Sequence, residues 1–288
     1  MKVLWSELFP LEFKNRLEEN PVVYFPLGLC EPHGQISAFG LDMFKAEEIC
    51  KQVAEKNGGV LAPSQSYHIH ESGPSAKWLE EQIGEMNPHM TSVSPSAFFY
   101  FFLYQLRAFY NAGFKKIVIL SGHAGAHKKD LKKVSGLFSD YFDIPIWYGT
   151  DAELVEEQGM TGDHAGKYEI SMLMYIRPEL VDLSTIKQEI YKDNGKRFAL
   201  DTSALEASAA YGKQIVESCV SSLLFIVQDM KNMKVVPSVE MLSYQDIERL
   251  WNYILQRNVK WACLQPRGDQ LKVSDKSRWK HAEYTELK

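Results

Sequence analysis

The chain has no apolar run long enough to cross a bilayer. The nearest, residues 97–106, falls short of the roughly 18 residues a membrane helix needs and carries polar positions. It has no basic excess either: 32 Lys and Arg stand against 37 Asp and Glu, for a net charge of −5, which argues against a nucleic-acid binder built on a basic patch. Cysteine is sparse. Cys30, Cys50, Cys219 and Cys263 lie far apart with no Cys-x-x-Cys pair, and they read as reduced thiols. Residues 1–7 reach Glu7 too early for a secretory signal, so a cytoplasmic protein is expected. There is no internal repeat and no low-complexity tract.

What is present is an ordinary globular composition, 45% apolar and 24% charged over 288 residues, enough for a large core. Residues 8–19 read as a short amphipathic helix, and 21–27 as a strand buried on both faces. Asp42 opens a helical pattern through Ile49 and Val53; residues 59–62 form a short strand. Residues 64–96, rich in Ser, Pro, His and Gly, read as one long irregular loop of the kind that serves function. A helix is expected over 96–111, strands over 116–120 and 144–148, and helices over 127–138 and 167–175. Beyond Pro178 the texture changes to two helices, 203–230 and 243–262. The alternation of strand and helix predicts an α/β fold: a mostly parallel sheet flanked by helices on both faces. One domain is expected over 1–265, followed by a polar, loosely ordered tail over 266–288.

Three patches carry ligand-type residues. Cys30-Glu31-Pro32-His33-Gly34 follows the first strand, with Asp42 close behind; Ser121-Gly122-His123-Ala124-Gly125 follows the strand at 116–120; and residues 162–169 end on Glu169. In parallel α/β sheets, sites form at the carboxyl ends of strands, and two strand ends here offer donors. Glu31, His33, Asp42, His123 and Glu169 are all oxygen or imidazole donors. That mix suits two divalent ions, zinc first with manganese or iron as alternatives, and not a closed thiolate site. Two ions sharing one carboxylate can hold a hydroxide between them. Each residue also has a plainer reading: Glu31 as a surface carboxylate, Asp42 as a helix cap, the histidines as packed loop residues.

In order and spacing over residues 20–182, these patches resemble the motifs of the creatininase family. The stretch around Glu31, His33 and Asp42 resembles its G-x-x-E-Q-H-G motif with the following aspartate. Residues 120–125 resemble its N-G-H-G-G-N turn, and 163–171 its H-A-G-x-x-E-T-S helix. The resemblance implies a three-layer α/β fold, a binuclear metal site, hydrolysis of a non-peptide carbon–nitrogen bond, and often a hexamer. Carried over by position, it places Glu31 and His123 on one ion, His33 and Glu169 on the other, Asp42 across both, and His164 as proton shuttle. Pro32, Ala126 and Met160 depart from the family pattern on the substrate side, which points away from creatinine itself, and Gly125 stands where creatininase carries a glutamate as an extra ligand for one ion. His68, His70, His127 and Met160 are further candidates for binding a small-molecule substrate. The alternatives are the opening of a cyclic ketone such as an oxidised inositol on the same site, and a non-catalytic metal-binding assembly protein.

Overall fold

The computed structural model describes residues 2–70, 72–83, 89–125, 127–186, 198–231, 240–257, 260–265, 267–269, 271–277 and 279. In chain order the elements are α1 (Pro10–Glu19), β1 (Val22–Leu27), α2 (Leu41–Asn57), β2 (Val60–Leu61), β3 (His68–Ile69), α3 (Ser72–Gln82) and β4 (Ser92–Val93). There follow α4 (Pro95–Asn111), β5 (Lys116–Ser121), α5 (His127–Phe142), β6 (Ile146–Thr150), α6 (Asp151–Val155), α7 (Lys167–Ile176), α8 (Ala209–Lys231) and α9 (Tyr244–Arg257).

β1 and β5 are buried at all six of their positions, as strands covered on both faces require. They pair in parallel from Val22 opposite Lys116 to Leu27 opposite Ser121. β2 adds to the outer edge of β1 and β6 to that of β5, giving a four-stranded parallel sheet in the order β2-β1-β5-β6. Alternate residues feed two separate cores. Val23, Phe25, Ile117 and Ile119 pack with Phe98 and Phe102 of α4, Val134 of α5 and Leu250 of α9. Val22, Tyr24, Val118 and Leu120 pack with Ile49 and Val53 of α2, Met172 of α7 and Val216 of α8. The result is the expected three layers.

Three expectations are corrected. The segment 64–96 is not one irregular loop: β3 and β4 pair in parallel, and α3 lies between them. Ala76, Leu79 and Ile83 bury one stripe of α3, a periodicity that Gly73-Pro74 and the nearby histidines disguised. The helix expected over 203–230 is two elements, a short 3-10 turn at Thr202–Glu206 and then α8, because Ala207 is extended. In the polar tail, Trp279 is buried at 5% exposure beside Ala76, Leu79 and Ile83, and Ser274 donates from its hydroxyl to Glu80 at 2.6 Å. The tail therefore docks on α3 where it is described.

Candidate metal centre

β1 and β5 run side by side in register, so the loops at their carboxyl ends meet. Glu31 and His33 come from the first loop, Asp42 from the first turn of α2, and His123 from the loop after β5. Gly122 makes this junction possible. A methyl group there would lie 2.0 Å from the carbonyl oxygen of Asp42, so only glycine lets the loop after β5 close on the first turn of α2. Glu169 arrives on the first turn of α7, and Asp163 ties down that helix start: its carboxylate accepts the backbone N–H groups of Gly166 at 3.1 Å, Tyr168 at 2.7 Å and Glu169 at 3.2 Å.

The five ligand-type residues are brought together and buried. Asp42 divides its two oxygens. Oδ1 lies 3.4 Å from His33 Nε2, and Oδ2 lies 3.2 Å from His123 Nδ1. His123 Nδ1 is also 2.8 Å from Glu31 Oε1, and His33 Nε2 is 3.4 Å from Glu169 Oε2. Glu31, Asp42 and His123 thus gather donor atoms within 4.8 Å of one another, and His33, Asp42 and Glu169 form a second such group. Glu31 Oε1, His33 Nε2 and Asp42 Oδ2 are buried without a directed hydrogen bond. Buried polar atoms are normally satisfied, and these donor types are the ones a divalent cation takes. The residues fit a pair of metal ions.

The electrostatics agree with a site short of positive charge. Burial pushes Asp42 up, but His123, His33 and Lys45 outweigh it and hold its carboxyl well below the usual range. Burial would lower His33 and His123; Asp42 and Glu169 around the first, and Glu31 and Asp42 around the second, hold both well above the ordinary imidazole value. His33 donates from Nδ1 to the carbonyl oxygen of Glu31 at 3.0 Å, which directs Nε2 into the cluster.

His164 stacks on His33 with ring centroids 4.7 Å apart. Its Nε2 donates to the carbonyl of Pro32 at 3.2 Å, which leaves Nδ1 facing Glu31 Oε1 at 3.9 Å. Its side chain keeps 27% exposure, so it is the member of the cluster that reaches both solvent and the ligand groups. Ala165, the next residue, has φ +52°. A non-glycine residue in that region is strained, and here the strained residue's N–H binds Glu169 Oε2 at 2.8 Å.

The remaining candidates divide. His70 lies at the site, its Nε2 3.8 Å from Glu31 Oε2. His127 is buried behind it, stacked on His123 at 4.7 Å and donating from Nε2 to the His123 carbonyl at 3.2 Å. His68 is also fully buried, beside Phe98. His68, His123 and His127 gather donor atoms closely as well, but the Ile69 N–H donates to His68 Nδ1 at 2.8 Å. Nδ1 also lies 3.3 Å from the Ile69 carbonyl, and Nε2 is buried without a hydrogen bond. Met160 lines a cavity of about 270 Å³ with Lys45, Asp151, Asp163 and Glu169.

Four residues at the site escaped sequence reasoning. Lys45 is buried with Nζ 2.5 Å from Glu169 Oε1 and 3.4 Å from Asp151 Oδ2. Its signal was a charge on the buried stripe Asp42, Ile49, Val53 of α2. Asp151 follows the end of β6, a third strand end; burial raises its carboxyl to about 6 despite Lys45. Trp78 of α3 presents an edge contact to His164 at 5.4 Å, and Trp279 of the tail lies 5.4 Å from His70. Neither tryptophan follows a strand, so nothing local marked them.

The creatininase family model, that of creatinine amidohydrolase, matches residues 6–226. A 3-dehydro-scyllo-inosose hydrolase of Thermotoga maritima is 25% identical over 171 residues, 55% of this chain and 48% of that protein, so the match spans about half of that relative. A creatinine amidohydrolase of Pseudomonas putida is 22% identical over 260 residues, 79% of this chain and 96% of that protein. A crystal structure of creatinine amidohydrolase shares the fold with a TM-score of 0.65 at 18% identity, over 81% of this chain and 99% of that one. Solved creatininases of the same fold include a Zn-Zn form of a variant and a manganese form. With a family model covering most of its length and a parallel sheet whose strand ends gather the motif residues, this chain belongs to the creatininase family of metal-dependent amidohydrolases.

Proposed function

We propose that the chain hydrolyses a non-peptide carbon–nitrogen bond of a small polar amide, cyclic or open-chain, using two divalent ions and His164 as proton shuttle. The observation that carries this is the division of Asp42, one oxygen to the His33 group and the other to the His123 group. In this reading Glu31 and His123 hold one ion, His33 and Glu169 the other, and Asp42 reaches both. Zinc is the first choice, with manganese or iron in its place. When bound, such ions supply Lewis acidity, polarising the bond under attack and making a water nucleophilic near neutral pH.

The chain's own residues handle the proton. With Nε2 donating to Pro32, His164 takes a proton at Nδ1, on the side of Glu31. As the new carbon–oxygen bond forms and the carbon–nitrogen bond breaks, the same proton passes to the leaving nitrogen. Such a role contributes roughly 10²–10⁴-fold. Trp78 and Trp279 supply apolar walls beside His164 and His70. Creatinine is not the expected substrate, because Pro32, Ala126 and Met160 depart from the family's pattern on the substrate side. A homo-oligomer, hexameric on the family resemblance, completes the reading, in a cytoplasmic protein. Among the described residues no helix is long and apolar enough to cross a membrane.

A second reading, opening of a cyclic ketone such as an oxidised inositol on the same residues, is favoured by the likeness to the inosose hydrolase. Purified protein loaded with zinc or manganese, screened against amides, formamides and inositol ketones, separates the two. Turnover of an amide or formamide supports the first reading and ring opening of a ketone the second; silence across the panel with close to two ions bound removes both.

A further inference from the structure

The two ion positions differ in one respect that no ligand assignment includes. Lys45 Nζ touches Glu169 Oε1 at 2.5 Å and lies 4.0 Å from Asp42 Oδ1. Both carboxylates belong to the His33–Asp42–Glu169 group. Toward Glu31 and His123, the other group's remaining members, Lys45 shows no such contact among the described residues. Asp151, fully buried, holds the ammonium from the far side at 3.4 Å. One of the two positions therefore has a resident cation beside it.

We propose that Lys45 makes the two sites unequal: the Glu31–Asp42–His123 position binds its ion tightly, and the His33–Asp42–Glu169 position binds weakly because a protein cation already serves its carboxylates. This rests on the two-ion reading above. Three further observations support it. First, the charge count turns over at the second ion. Four buried carboxylates, Glu31, Asp42, Asp151 and Glu169, face one buried ammonium, leaving three negative charges. One divalent ion reduces these to one, and a second makes the cluster net positive; without Lys45 the second would bring it to neutrality. Second, Lys45 occupies Glu169 Oε1, and Oε2 already accepts the Ala165 N–H at 2.8 Å, so Glu169 enters the second site with both oxygens partly spent. Third, the ammonium cannot retreat to bulk water by a small rotation: Lys45 is 2% exposed and held between Asp151 and Glu169. A like charge a few ångströms away in a buried site makes a gap of roughly tenfold or more between the two affinities a conservative expectation.

The test is titration of metal-free protein with zinc, and separately with manganese, by calorimetry, with ions per chain counted by elemental analysis. The wild type should show a tight first event and a second at least about tenfold weaker. Lys45→Met should narrow that gap by tenfold or more, strengthening the second event more than the first. Asp151→Asn should act in the opposite direction, since Lys45 then leans wholly on Glu169 and Asp42. If Lys45→Met leaves Asp151 buried without a partner and unfolds the chain, Lys45→Met/Asp151→Asn keeps the cluster's net charge but frees Glu169 Oε1 and Asp42 from the ammonium, and should narrow the gap by less than Lys45→Met alone. Two wild-type events of equal strength, or a gap unmoved in the folded Lys45 variants, overturn the inference and leave the two-ion reading intact. A single ion in the wild type and two in Lys45→Met support it. A single ion in both overturns the two-ion reading, and the inference with it.

Discussion

A methyl group at position 122 would collide with the carbonyl oxygen of Asp42, at 2.0 Å. Gly122→Ala therefore forces apart the loop after β5 and the first turn of α2, which place His123 and Asp42, without touching a ligand atom. The expected result is a folded protein, unchanged by far-ultraviolet circular dichroism, that binds metal about tenfold or more weakly, in the range seen when residues supporting a metal ligand are altered. An unchanged affinity would mean the backbone shifts cheaply here. His164 separates chemistry from structure in the complementary way. It keeps 27% side-chain exposure and belongs to neither of the two groups that Asp42 joins. His164→Ala should retain metal and fold while kcat falls roughly 10²–10⁴-fold. Retained turnover would end the shuttle assignment. Glu31, His33 and His123 were legible in sequence because each follows a strong strand at short range, and Asp42 because it opens a helical pattern close behind the first of them. Lys45 was not, since a lysine four residues before Ile49 on a helix is ordinarily a solvated stem; only the fold shows Asp151 and Glu169 closing over it.

At the scale of elements, the legible parts were those with an unambiguous period. β1 and β5 are apolar at nearly every position, and α4 begins at a serine cap followed by proline. α3 was hidden because its turn-forming start resembles a loop, and its apolar stripe shares its buried cluster with Ala199 and Trp279, far along the chain. The docking of Trp279 had no local signature at all. Long-range packing of this kind is invisible to periodicity, and it matters for the site: α3 brings Trp78 to His164, and the tail brings Trp279 to His70. Trp279→Ala removes a large buried ring from the small cluster with Ala76, Leu79 and Ile83. Phe or Trp to Ala in a core typically costs about 3–5 kcal/mol, but this cluster is peripheral to the two that hold the sheet. The variant should therefore lose order locally, seen as faster hydrogen exchange in residues 72–83, and raise KM, with metal content unchanged. A global fall in Tm with no local change in exchange would show the tail to be part of the main core.

For the whole molecule, the centre joins what the cores leave separate. Glu31, His33 and His123 belong to loops after two adjacent strands, and Asp42 and Glu169 to two helices on one face of the sheet. Ions that bind the folded chain and not the unfolded one stabilise it by about 2.7 kcal/mol at a hundred times Kd. For a chain of this size that is several degrees in Tm, by roughly 2–4 °C per kcal/mol. The pH dependence follows from the direction of the shifts. In the metal-free protein His33 and His123 are raised, so their contribution is full below the ordinary imidazole value of about 6.5 and is lost as pH rises through their higher folded values. Glu31 and Asp42 are lowered, so their contribution is present above the ordinary carboxylate range and is lost as pH falls below it. Metal binding needs both imidazoles neutral, so the ions compete with the protons that stabilise the metal-free state. The Tm difference between zinc-loaded and chelator-treated protein should thus widen between about pH 6 and about pH 8.5, and calorimetry in buffers of different ionisation enthalpy should register protons released on binding. A difference that narrows over that interval, with no proton release, would mean that the ions bind somewhere other than between His33, Asp42 and His123.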